Sequence, residues 1–325
     1  MKSFRTIVPP WRAPFQLTHA DPLLLVGSCF TEHIGRKLAE GKFDTLVNPN
    51  GIVYNPVSIA GTTKLRFVEK LAIQKRTGGL FYHWDYHGAF DHPDEVVFRK
   101  NIERARQQTA AFLEKTNYLF LTLGTARVFV LKETGQIVAN NHKAPANWFD
   151  ERRLSVAETV EALATAIEAL RAKCPAVQVV LSVSPVRHLR NGFVENQRSK
   201  AVLLLACADL CAQFDFVHYF PAYELLLDEL RDYRFYADDM VHPSETAVAY
   251  IWEYFAAAFF SEETRRLLAQ LEKIRTATGH RPLHPDTAEH RAFARQQLAA
   301  IEQLKHQYPL LDFSTEIAWF EQFCS

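Results

Sequence analysis

Residues 22–30 read PLLLVGSCF. Pro22 to Val26 is short, apolar throughout and stopped by Gly27, the pattern of a strand buried on both faces of a parallel sheet. Thr31 to Glu40 follows, with Ile34 and Leu38 four apart and Gly41 behind them, which predicts a helix with a glycine stop. Ser28 therefore stands between the carboxyl end of a strand and the start of a helix. Ligands of open α/β sheets bind in the crevice outside such strand ends, and the free N–H groups of a helix N-terminus favour developing negative charge. Both facts suit a nucleophile. A helix N-cap is the commoner use of serine at this place, so on this stretch alone the capping reading is the stronger.

Working outward, Tyr118–Leu123 and Val177–Val183 are two more buried runs, ended by Gly124 and by Ser184–Pro185, and Phe216–Phe220 is a fourth. Between them the spacing predicts helices over 55–71, 95–113, 196–211 and from Pro243 to about Phe259. A capping box at Ser155–Glu158 opens another that runs to about Lys173. Phe81–Asp85 reads as extended, and 128–131 with 137–139, around Thr134–Gly135, as a hairpin. Strands and helices thus alternate to about residue 260, which predicts a parallel sheet covered by helices on both faces. Beyond it, 262–276 and 287–307 are charged amphipathic helices broken at 279–282. They form an extension that packs on the core or meets a partner chain, as in a homo-oligomer.

The 325 residues are enough for one large α/β domain with an extension. Thirty-seven basic residues balance thirty-seven acidic ones, so nothing in the net charge supports nucleic-acid binding. No apolar run approaches the ~20 residues that span a bilayer. The start, MKSFRTIVPPWRAPF, has no apolar signal region, which points to a cytoplasmic protein without a membrane partner. Five cysteines at irregular spacing fit reduced thiols, with Cys207 and Cys211 as core residues of one helix face.

The segment Asp238–Ser244 reads DDMVHPS. Asp239 and His242, three apart in a loop before a helix, can meet so that the carboxylate fixes one imidazole nitrogen and leaves the other to take a proton from a serine. The order is then Ser28…Asp239…His242. Together with GSCF (27–30), NPNGIVYNP (48–56), LGTARVF (123–129), NNHKAP (140–145) and SPVRH (184–188), this arrangement resembles the GSCFA family, grouped with the SGNH/GDSL hydrolases. The resemblance covers most of residues 20–260. It implies an SGNH-hydrolase-like (flavodoxin-like) three-layer α/β/α sandwich over 1–260, with a helical extension over 261–325. It also implies a serine hydrolase, esterase or O-acyltransferase, that acts on a small acyl or acetyl ester and needs no cofactor. By position, Ser28 matches the nucleophile, Asp239 and His242 match the last block, and Gly51 matches the glycine whose N–H helps to hold the oxyanion. The third block of that group reads Gly-x-Asn-Asp, whereas here it is Gly124–Thr125–Ala126–Arg127, so Ala126 stands where an amide donor is expected. Losing one such donor costs about 3 kcal/mol of transition-state stabilisation. Thr125, Asn140, Asn141 and His142 are the substitutes to weigh, with a merely polar loop as the other reading of 140–143; a non-catalytic SGNH-like binding module is the alternative that Ala126 favours.

Three further groups remain open on sequence. Cys29, beside the serine, is either a rival nucleophile or a buried thiol. His83, His87 and His92, with Asp85 and Asp91 close by, offer metal-ligand chemistry, although the glycine-bracketed, aromatic segment fits a strand or a substrate pocket better, and His87 is placed in that pocket. Arg187 and His188, after a strand end, suit a substrate anion or an ordinary turn. Neither a phosphate-binding glycine loop nor a Gly-x-Ser-x-Gly elbow occurs.

Overall fold

A computed structural model describes residues 6–63, 73–76, 78–280 and 282–324. The elements follow as β1 (Leu23–Gly27), α1 (Cys29–Glu40), β2 (Thr45–Val47), α2 (Pro56–Thr63), β3 (Gln74–Lys75), β4 (Phe81–Tyr82), α3 (Glu95–Leu113), β5 (Tyr118–Leu123), β6 (Arg127–Leu131), β7 (Ile137–Val138) and β8 (Phe149–Arg153). Then come α4 (Val156–Lys173), β9 (Gln178–Val183), α5 (Gly192–Gln213), β10 (Val217–Tyr219), α6 (Ala222–Glu224), α7 (Glu245–Phe259), α8 (Glu262–Gly279), α9 (Ala288–Gln307) and α10 (Ser314–Glu321). The part of the expected 55–71 helix beyond Thr63 lies outside the described residues.

Five strands form the main sheet in the order β10-β9-β5-β1-β2, every neighbouring pair parallel. Counted along the chain this is 2-1-3-4-5, the flavodoxin-like winding. The three apolar runs became β1, β5 and β9 because a strand with helices on both faces has no polar side to show. All five residues of β1 are buried, as are the last five of both β5 and β9. Alternate residues divide between the faces: Leu24, Val26, Leu119, Leu121, Leu123, Val179 and Leu181 pack in one cluster with residues of α2, α4 and α5. Leu23, Leu25, Phe120 and Val180, of the other parity, are equally buried.

Helix starts follow local chemistry. The Ser155–Glu158 capping box that opens α4 forms as the sequence predicts, and Asp94 caps α3 through the N–H groups of Val96 and Val97. The hairpin around Gly135 forms as β6 and β7, and β8 pairs antiparallel with the other edge of β6. Phe81–Asp85 is extended only over β4: His83–His87 makes a turn in which His83 accepts the N–H of Asp85 on Nδ1 and that of Tyr86 on its carbonyl.

The chain divides into two compact units. One takes Pro22–Gly35 and Thr45–Tyr254 with the described residues up to Pro10; the other takes Trp11–Asp21, Arg36–Asp44 and the described residues from Phe255 onward. The second has its own core, in which Leu267, Leu271, Ile274, Ile301, Leu304, Phe313 and Phe320 are buried together. Among the described residues no helix is long and apolar enough to cross a membrane.

Candidate functional site

The sheet order reverses between β1 and β5, the place where an open α/β sheet leaves a crevice outside its carboxyl ends. Ser28 stands there, directly after β1. Its N–H donates to Thr122 O of β5 at 3.1 Å and its carbonyl accepts from Thr31 N at 2.8 Å. The residue is 0% exposed, and its Oγ has no hydrogen-bond partner. A fully buried hydroxyl without a partner costs about 1–3 kcal/mol, so the fold carries this serine at the expense of stability.

Gly27 makes the close approach possible. At φ +153° it sits opposite Thr122, and a Cβ there would lie 2.2 Å from the Thr122 carbonyl oxygen. Its N–H donates to Asn48 Oδ1 at 2.8 Å, a bond from the loop after β2.

Asp239 and His242 meet as their spacing predicts. Asp239 Oδ2 lies 2.6 Å from His242 Nδ1, while Oδ1 accepts the backbone N–H groups of Val241 and His242, each at 2.9 Å. The His242 backbone N–H, then its imidazole, then the Val241 N–H hold the Asp239 carboxyl down to about 2. With Nδ1 committed to the carboxylate, Nε2 is the nitrogen left for proton transfer. The pair is half exposed, at 45% for His242 and 50% for Asp239. No hydrogen bond joins His242 to Ser28 Oγ in this conformation. Arg187 supports the loop and does not line the cavity described below: its N–H donates to Val241 O at 3.3 Å and its guanidinium to Tyr236 Oη at 3.0 Å.

Beside this corner opens a cavity of about 340 Å³ whose walls include Tyr54, His87, Thr125, Asn140, Asn141 and His188, but not Ser28, Asp239 or His242. Asn140 and Asn141 accept the N–H groups of His142 and Lys143 on their oxygens, which leaves their NH₂ groups to a ligand. His142, expected among the donors, is turned away from the cavity. Its ring is buried on Tyr82, with Nε2 at 2.9 Å from His83 O and Nδ1 at 3.3 Å from Asp91 Oδ1. Gly51 has the positive φ that its loop requires (+75°), but its N–H donates to Asn48 O at 2.7 Å and closes a turn, so it is not free for an oxyanion. His83, His87 and His92 each accept a nearby backbone N–H on Nδ1. Among the described residues no three His, Cys, Asp or Glu side chains gather as metal ligands would.

Burial pushes the Cys29 thiol up, which works against the thiolate a nucleophilic cysteine needs. Burial, then the nearby Lys200 and His242 charges, push His188 down to about 4, so its ring is neutral near pH 7. The Nε2 of His188 is buried and unpartnered.

Lys200 could not be found in the sequence, where it is one polar position in a long helical pattern. It is 1% exposed, and its Nζ donates to Gly124 O at 2.7 Å and Ser184 O at 2.6 Å, tying together the chain just past β5 and β9. No carboxylate pairs with it among the described residues, and burial pushes it down to about 7. Between pH 7 and 10.5 the unfolded chain therefore holds a proton that the folded one has released, and stability rises with pH through that window. At about 1.4 kcal/mol per pH unit the ceiling is about 5 kcal/mol. Urea melts at pH 7 and pH 10 should show wild type gaining several kcal/mol relative to Lys200→Met; parallel pH profiles would show that the lysine keeps its proton.

The model of the GSCFA family matches residues 22–255, and that of the GSCFA domain protein, C-terminal domain, matches residues 271–324. The chain belongs to the GSCFA family. The GSCFA match spans the whole main sheet and the Asp239–His242 loop. No curated protein matches the chain. Similar solved structures include a carbohydrate esterase family 3 from Talaromyces cellulolyticus, 12% identical, covering 78% of this chain and 99% of that one at a TM-score of 0.36. An acetyl esterase mutant solved with an acetate ion is 11% identical, over 78% and 99%, at the same TM-score of 0.36. An acetyl xylan esterase (Est2A) from the rumen bacterium Butyrivibrio proteoclasticus is 11% identical, over 81% and 66%, again at 0.36.

Proposed function

We propose that this GSCFA protein is a serine hydrolase, an esterase or O-acyltransferase, that acts on a small acyl ester through Ser28, Asp239 and His242. The observation that carries the reading is the 2.6 Å contact of Asp239 Oδ2 with His242 Nδ1, on the loop tied by Arg187 to the carboxyl end of the sheet that also bears Ser28. In this reading Ser28 Oγ attacks the ester carbonyl while His242 Nε2 takes the hydroxyl proton. Asp239 holds the imidazole in its tautomer and stabilises the imidazolium. The C–O bond to the alcohol then breaks, His242 returns the proton to the departing oxygen, and an acyl group remains on Ser28. Water, activated by His242, releases it as the acid; an alcohol or amine in the same position takes it instead. The raised Cys29 thiol supports the serine as the attacking group, and the NH₂ groups of Asn140 and Asn141 offer donors to the substrate.

The test is labelling with a fluorophosphonate probe and peptide mapping. Label on Ser28, kept in Cys29→Ala and lost in Ser28→Ala, is the expected result. Label that survives Ser28→Ala, or none on well-folded wild type, overturns the reading. Asp239→Asn is expected to keep the fold, since an amide oxygen still accepts the two backbone N–H groups, and to lower ester turnover about 10⁴-fold by presenting the wrong imidazole tautomer. Turnover within tenfold of wild type removes Asp239 from the mechanism.

A further inference from the structure

An acyl transfer at Ser28 needs donors about 3 Å from the oxygen that becomes negative, and the backbone groups that usually supply them are already engaged. The N–H of Ser28 is on Thr122 O, that of Gly51 on Asn48 O, and that of Ala126 on Ser199 Oγ. The N–H groups of Gly124 and Thr125 both donate to Tyr54 O, and Thr125 Oγ1 is paired with Ser199 Oγ. At the carboxyl ends of β1 and β2, by contrast, four buried side-chain groups have no partner: Ser28 Oγ, Thr31 Oγ1, Asn48 Nδ2 and Asn50 Nδ2. Buried polar groups are rarely left so, and four of them, on the residues that follow β1 and β2 and in the first turn of α1, mark a polar site shaped for something the folded chain does not itself provide.

Asn48 is fixed at both ends. Its N–H donates to Leu25 O at 2.9 Å and its Oδ1 accepts from Gly27 N at 2.8 Å, the residue before the serine. Because a backbone N–H can only donate, the amide oxygen must face Gly27 and the NH₂ must face the other way. Asn48 is 7% exposed and stands at φ +43°, a left-handed conformation that asparagine and aspartate adopt more readily than most residues. It is thus a buried donor of two hydrogens whose amide oxygen is tied to the residue before Ser28, and its side chain cannot turn without losing the Gly27 bond. We propose that the Asn48 side-chain amide is the donor that holds the carbonyl oxygen of the substrate as it becomes negative, in place of the amide that Ala126 lacks. This rests on Ser28 being the nucleophile. Asn50, 3% exposed on the same loop, extends the donor set.

Asn48→Asp separates this role from a structural one. Aspartate keeps the acceptor for Gly27 N and tolerates the backbone conformation, but it has no NH₂ and sets a carboxylate where negative charge must form. With p-nitrophenyl acetate at pH 8, kcat is expected to fall 100- to 1000-fold, the cost of losing one such donor, with KM changed by less than threefold and Ser28 still labelled at the fluorophosphonate end point. Asn48→Gly, which suits φ +43° and removes the whole amide, is expected to show the same fall and serves if the aspartate variant does not fold. Activity of Asn48→Asp within threefold of wild type overturns the proposal whatever the glycine variant does, because the Gly27 bond alone then accounts for Asn48. Loss of turnover in Ser28→Ala with full activity in Asn48→Asp removes this proposal and leaves the serine mechanism standing. Wild-type turnover that is absent, or unchanged in Ser28→Ala, removes both.

Discussion

Ser28→Ala is expected to lower kcat/KM for an activated ester by about 10⁴- to 10⁶-fold, the range seen when a serine nucleophile is removed from a triad, while the protein becomes no less stable. Two separate lines lead there. In the proposed mechanism the hydroxyl is the attacking group, so its loss leaves only binding and whatever stabilises the oxyanion. It is also buried without a partner, so replacing it by a methyl leaves no orphan group behind and removes a desolvation cost of about 1–3 kcal/mol. His242→Ala should cost nearly as much activity, and the double variant little more than either single one, because residues that act as a unit are not additive. Kinetics with urea melts on the three variants check this. Additive losses, or a Ser28→Ala protein that is both active and destabilised, would give the serine a structural job instead.

Gly27→Ala is expected to be the most damaging single change in the first unit, at more than about 4 kcal/mol or outright failure to fold. The new methyl would meet the Thr122 carbonyl oxygen at 2.2 Å, a backbone atom of the neighbouring strand that cannot swing aside. Relief would require β1 and β5 to part at the point where Ser28 N–H bonds Thr122 O and Asn48 Oδ1 holds Gly27 N, so the site would come apart with the strand pair. Gly135→Ala is the matched control: it too has a positive φ, +69°, but its added Cβ meets nothing within 4 Å, so it should cost only the backbone strain of about 1–2 kcal/mol. Urea denaturation of both separates steric clash from backbone conformation; a Gly27→Ala protein within 1 kcal/mol of the Gly135→Ala control would mean that the strands can give.

The sheet was legible where burial on both faces left a mark. LLLVG, YLFLTL and QVVLSV have no polar side, and the glycine or Ser-Pro after each located the strand ends that carry the site. Thr45–Val47 was not legible: three half-buried residues give no period, yet this strand delivers Asn48. Phe149–Arg153 was missed for the opposite reason, since a strand with four exposed charged residues looks like a loop until β6 pairs with it. The Asp239–His242 contact could be read from spacing because it is local. Lys200 could not, because its burial is made by strand ends 16 and 76 residues away in sequence. His142 was misplaced because an Asn-Asn-His loop shows which residues are polar but not which way each one turns.

The interleaving of the two units has a consequence for how the chain is made. Leu17 N–H is paired with Phe259 O, and the Phe43 ring stacks on Phe260. Both early segments must therefore wait until more than 200 further residues have been added, about 10–40 s at ordinary synthesis rates. Over that interval Leu17 and Phe43, fully or nearly buried in the finished protein, are without their partners on the nascent chain. That makes 11–21 and 36–44 the stretches where a chaperone, or a neighbouring ribosome's product, has its opening.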